Sequence, residues 1–156
     1  NNTLTCLLLD SNNITDAQSI GAGLKTNNTL KWLYLHNNNI TDVQSIMVGL
    51  QRNKALTRLS LVNNNITDIQ SIGEALKTNN TLRVLNLYNN NITDDGGIQS
   101  IIDVLKTNNT LRGLYLRNNH QLSDNMILYL NAIEQYKRDG SNGYQQVKGM
   151  DISGLP

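Results

Sequence analysis

Residues that commonly carry out enzyme chemistry are few in this chain of 156 residues, which has one cysteine and two histidines. A cysteine nucleophile needs a histidine base within reach and a third group that orients the base. Cys6 and His36 have no such third group at a suitable spacing, and His36 and His120 do not form a metal pair. Gly96 and Gly97 lack the lysine of a phosphate-binding loop. We therefore predict no catalytic residue, no metal site, no cofactor and no enzymatic activity.

The elements that must position every other side chain are set by one pattern that recurs five times. It reads L-x-x-L-x-L-x-x-N and starts at Leu4, Leu30, Leu56, Leu82 and Leu111, with spacings of 26, 26, 26 and 29 residues. Self-similarity at a fixed period of this length is typical of a solenoid, in which each repeat packs on its neighbours.

Within each repeat the hydrophobic period changes from 2 to about 3.6, which predicts a strand followed by a helix. In the second repeat Leu33 and Leu35 should face inward, while the side chains between them face outward. The pattern's last residue is an asparagine whose amide can satisfy backbone groups of a tight turn. We call these residues the turn asparagines and expect them to form a structural ladder: Asn12, Asn38, Asn64, Asn90 and Asn119.

Helix boundaries are predicted from residues that follow the turn. Thr41 and Gln44 have the spacing of a capping box, and the nearby aspartates of the repeats, such as Asp42, are also expected at or near the helix start. The apolar stripe of the helix is expected at Val43, Ile46 and Leu50 and their equivalents. Each helix should end at an asparagine able to adopt the left-handed conformation; we call these the helix-end asparagines, namely Asn27, Asn53, Asn79 and Asn108.

The repeated motif resembles that of leucine-rich repeat proteins, over about residues 1 to 131. Helical crossovers make neighbouring strands parallel, and the wider spacing of helices curves the stack. The resemblance implies an α/β, right-handed leucine-rich repeat solenoid, a horseshoe arc with a parallel sheet on the concave face and helices on the convex face. The repeats resemble those of the ribonuclease-inhibitor-like branch, which includes cytosolic immune receptors and bacterial or amoebal repeat effectors.

Two departures from regularity define the expected domain organisation, a single domain over 1–156. The fourth repeat inserts Asp95, Gly96 and Gly97 before its helix. The segment 124–156 is predicted to be a degenerate C-terminal cap, with a helix over 124–138 and an imperfect last strand over 145–156. Because no cap precedes the first repeat, we expect the chain to be a fragment of a longer protein.

Outward strand residues vary between repeats and are the candidates for recognition. All four aromatic residues before Asp124 stand at these positions. Aromatic and arginine side chains dominate protein interfaces because they bury large areas and still make polar contacts. The predicted partner-binding residues are Trp32, Tyr34, His36, Arg58, Asn86, Tyr88, Tyr115 and Arg117. Neutral drift of outward residues, or a cation–π pair between Trp32 and Arg58, would explain the same pattern.

The resemblance implies a noncatalytic module that binds a protein or peptide on the concave face. Two alternatives stay open: a regulator that activates GTPases through Arg117 or Arg112, and a structural module resembling actin-filament caps. Lys31, Arg83 and Arg112 share the pattern's second position and predict a basic edge suited to an acidic partner.

Composition limits the compartment and the class of partner. A net charge of +1 argues against a nucleic-acid partner, and no apolar run is long enough to span a membrane. The single cysteine and the lack of cysteine-rich caps favour the cytoplasm, or the host cytosol for a secreted bacterial effector. The N-x-T sequons recur at equivalent points of the repeats, so duplication explains them without glycosylation. Nothing in the sequence specifies the oligomeric state.

Overall fold

The computed structural model describes residues 1–93 and 97–119, together with Leu122 and Met126. Most of the inserted turn of the fourth repeat and His120 lie outside the described residues. So does the expected C-terminal cap over 124–156, apart from Met126.

Five strands and four helices alternate along this part of the chain. The strands are β1 (Cys6–Leu8), β2 (Trp32–Tyr34), β3 (Arg58–Ser60), β4 (Val84–Asn86) and β5 (Gly113–Tyr115). The helices are α1 (Gln18–Thr26), α2 (Gln44–Arg52), α3 (Ile69–Thr78) and α4 (Ile98–Thr107). All strands pair in parallel, in the order β1-β2-β3-β4-β5. The predicted α/β solenoid is confirmed.

The core lies between the sheet and the row of helices. Leu33, Leu59 and Leu85 are in register at the centres of their strands and are buried. The predicted helix stripe is confirmed, because Ile46 and Leu50 are fully buried against this sheet side. The helices have only nine or ten residues, and none within the described part of the chain is long and apolar enough to cross a membrane.

Neighbouring helices pack closely where glycines meet. A Cβ atom added at Gly49 in α2 would collide with the backbone carbonyl of Gly21 in α1. By contrast, a Cβ atom added at Gly23, two residues further along α1, would meet nothing within 4 Å. Gly21 and Gly49 are therefore required by the approach of the two helix backbones.

The helices begin differently from the capping-box prediction, which is wrong. Helix α2 has Val43 as its N-cap residue, without a side-chain hydrogen bond, and not Thr41. The aspartate after the threonine takes the capping role: Asp42 Oδ1 accepts from the backbone N–H of Gln44 at 2.8 Å, and Asp68 Oδ1 accepts from that of Ser71 at 2.9 Å. A carboxylate also suits the positive end of the helix dipole, and the expectation that these aspartates cap helices is confirmed at Asp68.

The turn asparagines bond to backbone groups of two repeats. Asn64 donates from Nδ2 to the carbonyls of Leu35 and Leu61, at 3.0 and 3.1 Å, and its Oδ1 accepts from the N–H of Ile40 at 3.0 Å. Asn38, Asn64, Asn90 and Asn119 are all buried. Asn12 is exposed and donates to the carbonyl of Asp10 in its own turn. Each buried amide therefore joins one turn to the turn of the preceding repeat.

A second ladder, which the sequence analysis missed, is built by the helix-end asparagines. Asn79 donates from Nδ2 to the carbonyls of Leu50 and Asn53, at 2.8 and 3.2 Å. Its Oδ1 accepts from the N–H groups of Thr81 and Leu82, at 3.0 and 2.8 Å. These residues do end the helices, as predicted, but with extended backbones, such as φ −76° and ψ 124° at Asn79.

The left-handed backbone occurs instead in the turn after each strand. The prediction that it would occur at the helix-end asparagines is wrong. Among the described residues other than glycine, φ is positive at Ser11, Asn13, Asn37, Asn63, Asn89 and Asn118. With an extended backbone, the side-chain oxygen of the helix-end asparagine accepts hydrogen bonds from the N–H groups two and three residues further along the chain. A left-handed residue is therefore not needed to end the helix.

Candidate partner-binding surface

The outward face of the sheet is lined by two aligned rows of side chains. Cys6, Trp32, Arg58, Val84 and Gly113 are in register across the five strands. The second row, also in register, consists of Leu8, Tyr34, Ser60, Asn86 and Tyr115. Among the predicted partner-binding residues, Trp32, Tyr34, Arg58, Asn86 and Tyr115 therefore share one sheet face, and His36, Tyr88 and Arg117 each follow a strand by two residues.

One end of this face is apolar. Leu8 is 63% exposed and Trp32 is 47% exposed, and both side chains lie on adjacent strands. Cys6 is a half-buried free cysteine paired in register with Trp32, and Tyr34 is paired with Leu8. We call the group Cys6, Leu8, Trp32 and Tyr34 the apolar end.

A basic groove with a volume of about 550 Å³ lies next to the apolar end and shares Trp32 with it. We call it the arginine groove. Its lining residues are Trp32, Thr57, Arg58, Arg83, Val84, Arg112, Gly113 and Tyr115. Three of the eight are arginines and none is acidic. The predicted basic edge is therefore present at Arg83 and Arg112, whereas Lys31 is exposed but is not among these lining residues.

The depth of the groove follows from a decrease in side-chain size along the first row. Bulky Trp32 and Arg58 on β2 and β3 are followed by Val84 on β4 and by Gly113 on β5. A Cβ atom at Gly113 would lie 3.1 Å from the ring and hydroxyl atoms of Tyr115. Glycine thus lets the Tyr115 ring lie close to the β5 backbone, a role for Gly113 that the sequence analysis missed.

The groove arginines have no charged partner within the described residues. In that part of the chain the close pairs of acidic and basic side chains are Lys106 with Asp103 and His36 with Asp10, and the latter is an ion pair only when the imidazole is protonated. Arg83 and Arg112 are neighbours, because the carbonyl of Arg83 accepts hydrogen bonds from the N–H groups of Arg112 at 2.7 Å and of Gly113 at 3.1 Å. Arg83 and Arg112 directly precede β4 and β5 and line the same groove. Like charges at such neighbouring positions repel, so an anion bound in the groove would be favourable.

His36 is held by its neighbours at the opposite edge of the face. Its Nε2 lies 3.6 Å from Asp10 Oδ2, and both side chains are about one-third exposed, at 33% and 37%. The Tyr34 ring packs edge-on against His36, with centroids 6.3 Å apart and an interplanar angle of 89°. The imidazole is therefore oriented mainly by contacts within the chain.

Asn86 and Tyr88, two further predicted partner-binding residues, also form hydrogen bonds within the chain. Asn86 Oδ1 accepts from the N–H of Tyr88 at 3.0 Å, and the Tyr88 hydroxyl accepts from Asn118 Nδ2 at 2.6 Å. Tyr88 is nevertheless 39% exposed. The cation–π pair suggested for Trp32 and Arg58 is not among the aromatic contacts of the described residues, and both residues are exposed.

Metal coordination has no candidate cluster in the part of the chain that the structure describes. There, no three histidine, cysteine, aspartate or glutamate residues come together in a way that could hold a metal ion.

Comparison with known proteins agrees with this architecture. A family profile described as leucine-rich repeats, in two copies, matches residues 28–74 and 54–100. The comparison with curated proteins gave no significant match. Among solved structures, the actin-binding site 2 of leiomodin-1 superposes with a TM-score of 0.66 at 23% identity, over 92% of this chain and 86% of that chain.

Two crystal structures of internalins from Listeria monocytogenes are also similar. The internalin inlF has a TM-score of 0.57 and 27% identity, and internalin C2 has a TM-score of 0.53 and 26% identity. They cover 83% and 81% of this chain, which in turn spans 32% and 48% of their lengths. The recurring motif, the open parallel sheet with its helices, and these matches show that the chain contains leucine-rich repeats and folds as a leucine-rich repeat solenoid.

Proposed function

We propose that this protein is a noncatalytic module that binds a protein or peptide on the concave face of its sheet. Leucine-rich repeat domains generally mediate protein–protein interaction. The observation that carries the proposal for this face is the arginine groove. It combines arginines that form no ion pair within the described residues with the exposed Trp32 ring and the half-buried Tyr115 ring.

The energetic basis is burial of these aromatic rings by a partner. Trp32 and Tyr115 border the groove and offer large apolar surfaces with few rotatable bonds. Truncation of such residues at an interface commonly costs about 2 kcal/mol or more of binding free energy. The strands beneath are held by backbone hydrogen bonds and by both asparagine ladders, so little ordering free energy is lost on binding.

The test is affinity capture from cytosolic extract with the wild-type chain and the variant Trp32→Ala/Tyr34→Ala/Tyr115→Ala. A control variant, Lys25→Ala/Val48→Ala/Lys77→Ala, changes three exposed helix residues instead. Circular dichroism and thermal melting establish equal folding. We expect proteins that bind the wild type and the control but not the aromatic variant. Equal capture by all three chains would contradict a concave-face site.

A GTPase-activating role is the second candidate, because Arg112 has an exposed guanidinium group with no ion pair within the described residues. An arginine supplied in trans stabilises the charge that develops in GTP hydrolysis. Stimulated hydrolysis by a small GTPase, lost in Arg112→Ala or in Arg117→Ala, would favour this role over simple binding.

Actin binding is named for leiomodin-1, and at 23% identity that likeness concerns the fold. Cosedimentation of the protein with actin filaments would favour the alternative of an actin-capping module. The ribonuclease-inhibitor-like branch, an effector role and a cytoplasmic location remain proposals. The free thiol of Cys6 is compatible with a reducing compartment.

A further inference from the structure

We infer that the concave face recognises an extended peptide segment with an apolar end and an acidic end, lying across the strands. Apolar side chains would contact the apolar end on β1 and β2, and carboxylates would contact the arginine groove on β3 to β5. The inference rests on the proposed function and specifies the chemistry of its partner.

Charge complementarity carries the acidic half of this assignment. Arg58, Arg83 and Arg112 face a groove without an acidic lining residue, and none of them takes part in an ion pair within the described residues. The guanidinium group matches a carboxylate with two parallel hydrogen bonds. A carboxylate between Arg83 and Arg112 would also relieve the repulsion between these neighbours.

The apolar end of the peptide is inferred from the clustering of exposed apolar residues at one end of the face. Leu8 and Trp32 are among the exposed large hydrophobic residues of the described chain, at 63% and 47%, and they lie on the adjacent strands β1 and β2. Exposed apolar surface of this kind gains free energy when a partner removes it from water. The apolar end contains no basic residue, and the acidic Asp10 lies at this side of the face, next to His36.

Dimensions set the length of the segment. Five strands spaced about 4.8 Å apart span roughly 19 Å from β1 to β5. An extended chain advances about 3.3 Å per residue, so about six residues cross the whole sheet. Apolar and acidic residues must form two separate blocks, because successive side chains of an extended peptide point to opposite sides. An alternating peptide would therefore turn a single residue type toward the sheet, and place either carboxylates over Leu8 and Trp32 or apolar side chains over the arginines.

The probes are fluorescein-labelled peptides of about six residues, matched to that span. Block peptides carry leucines at one end and glutamates at the other, in both chain directions. Control peptides alternate the same residues or replace glutamate with lysine, and a thymidine oligonucleotide tests for a nucleic-acid partner. Fluorescence anisotropy measures binding to the wild type, to Arg83→Gln/Arg112→Gln and to Lys25→Gln/Lys77→Gln. The last variant removes the same charge from exposed helix ends.

We expect one block peptide to bind at least about tenfold tighter than the alternating and lysine peptides. Its affinity should fall about tenfold or more in the groove variant, weaken as salt is added, and change less than about twofold in the helix variant. Equal binding of block and alternating peptides, no binding up to about 1 mM peptide, or tighter binding of the oligonucleotide would each overturn the inference.

The same groove variant also separates this inference from the proposed function. A captured partner that is lost with the aromatic variant but retained by Arg83→Gln/Arg112→Gln would leave the concave site intact and refute acidic recognition. Retention by both variants would refute the proposed function as well.

Discussion

The buried asparagines and the groove arginines are polar residues of the same repeats, but the asparagine side chains are bonded within the chain and the arginine side chains are exposed to solvent. Asn53 and Asn79 are 1% and 2% exposed, and both amide groups bond to backbone atoms of the chain. Arg83 and Arg112 are exposed, and no ion pair within the described residues involves them.

The difference shows which polar positions of a repeat protein are free to diversify. A buried polar group must find its partners inside the chain, because an unsatisfied one costs about 1–3 kcal/mol. Helix-end asparagines therefore stay the same in successive repeats. Water satisfies an outward arginine, so the sheet face can differ from strand to strand and still be available to a partner.

The largest expected effect is on the asparagine side of the comparison. Asn79→Ala removes two hydrogen bonds to carbonyls and two from N–H groups. Because several of these backbone groups are buried, we expect the free energy of unfolding to fall by about 3 kcal/mol or more. Urea denaturation measures the loss. The exposed neighbour Asn80 is the matched control, and Asn80→Ala should change stability by less than about 0.5 kcal/mol.

Close helix packing gives the next largest effect. In Gly49→Ala the new methyl group would collide with the Gly21 carbonyl, so we expect a loss of about 1–3 kcal/mol in thermal or urea unfolding. In Gly23→Ala the methyl group has open space, and better helix propensity should raise stability by up to about 1 kcal/mol. If both variants melted alike, the helices would not approach as described.

A smaller effect, on binding rather than folding, is expected at Gly113. The methyl group of Gly113→Ala would meet the Tyr115 ring and displace it into the groove. We expect stability to change by less than about 1 kcal/mol, because the half-buried tyrosine side chain borders an open groove and can move. Affinity for the acidic block peptide should fall about threefold to tenfold. Unchanged affinity would show that the peptide does not use this end of the groove.

The smallest effect is expected for Asp10→Asn. The Asp10 carboxylate faces His36 at 3.6 Å with about one-third exposure of each side chain, and exposed ion pairs contribute about 0–1 kcal/mol. Thermal melting should therefore shift little. A large loss of stability would instead show that the contact between Asp10 and His36 stabilises the fold, as the asparagine ladders do.

Several local features were predictable only in part. The aspartates at the helix starts were recognised, but the capping box at Thr41 and Gln44 was not formed, because Asp42 reaches the N–H of Gln44. The left-handed conformation was expected at Asn79 and occurs at Asn89. In both cases several side chains offer similar bonds to nearby backbone, and sequence spacing alone does not rank them.

The sequence by itself determined the solenoid, because leucines at fixed spacing and a change of period leave few other ways to bury each repeat. Only the tertiary structure decided the shape of the arginine groove. Arg83 and Arg112 come from successive repeats, yet the backbone bond between them makes them neighbours, and Gly113 makes room for Tyr115. Local periodicity specifies which way a side chain points, whereas the space between side chains depends on residues distant in sequence.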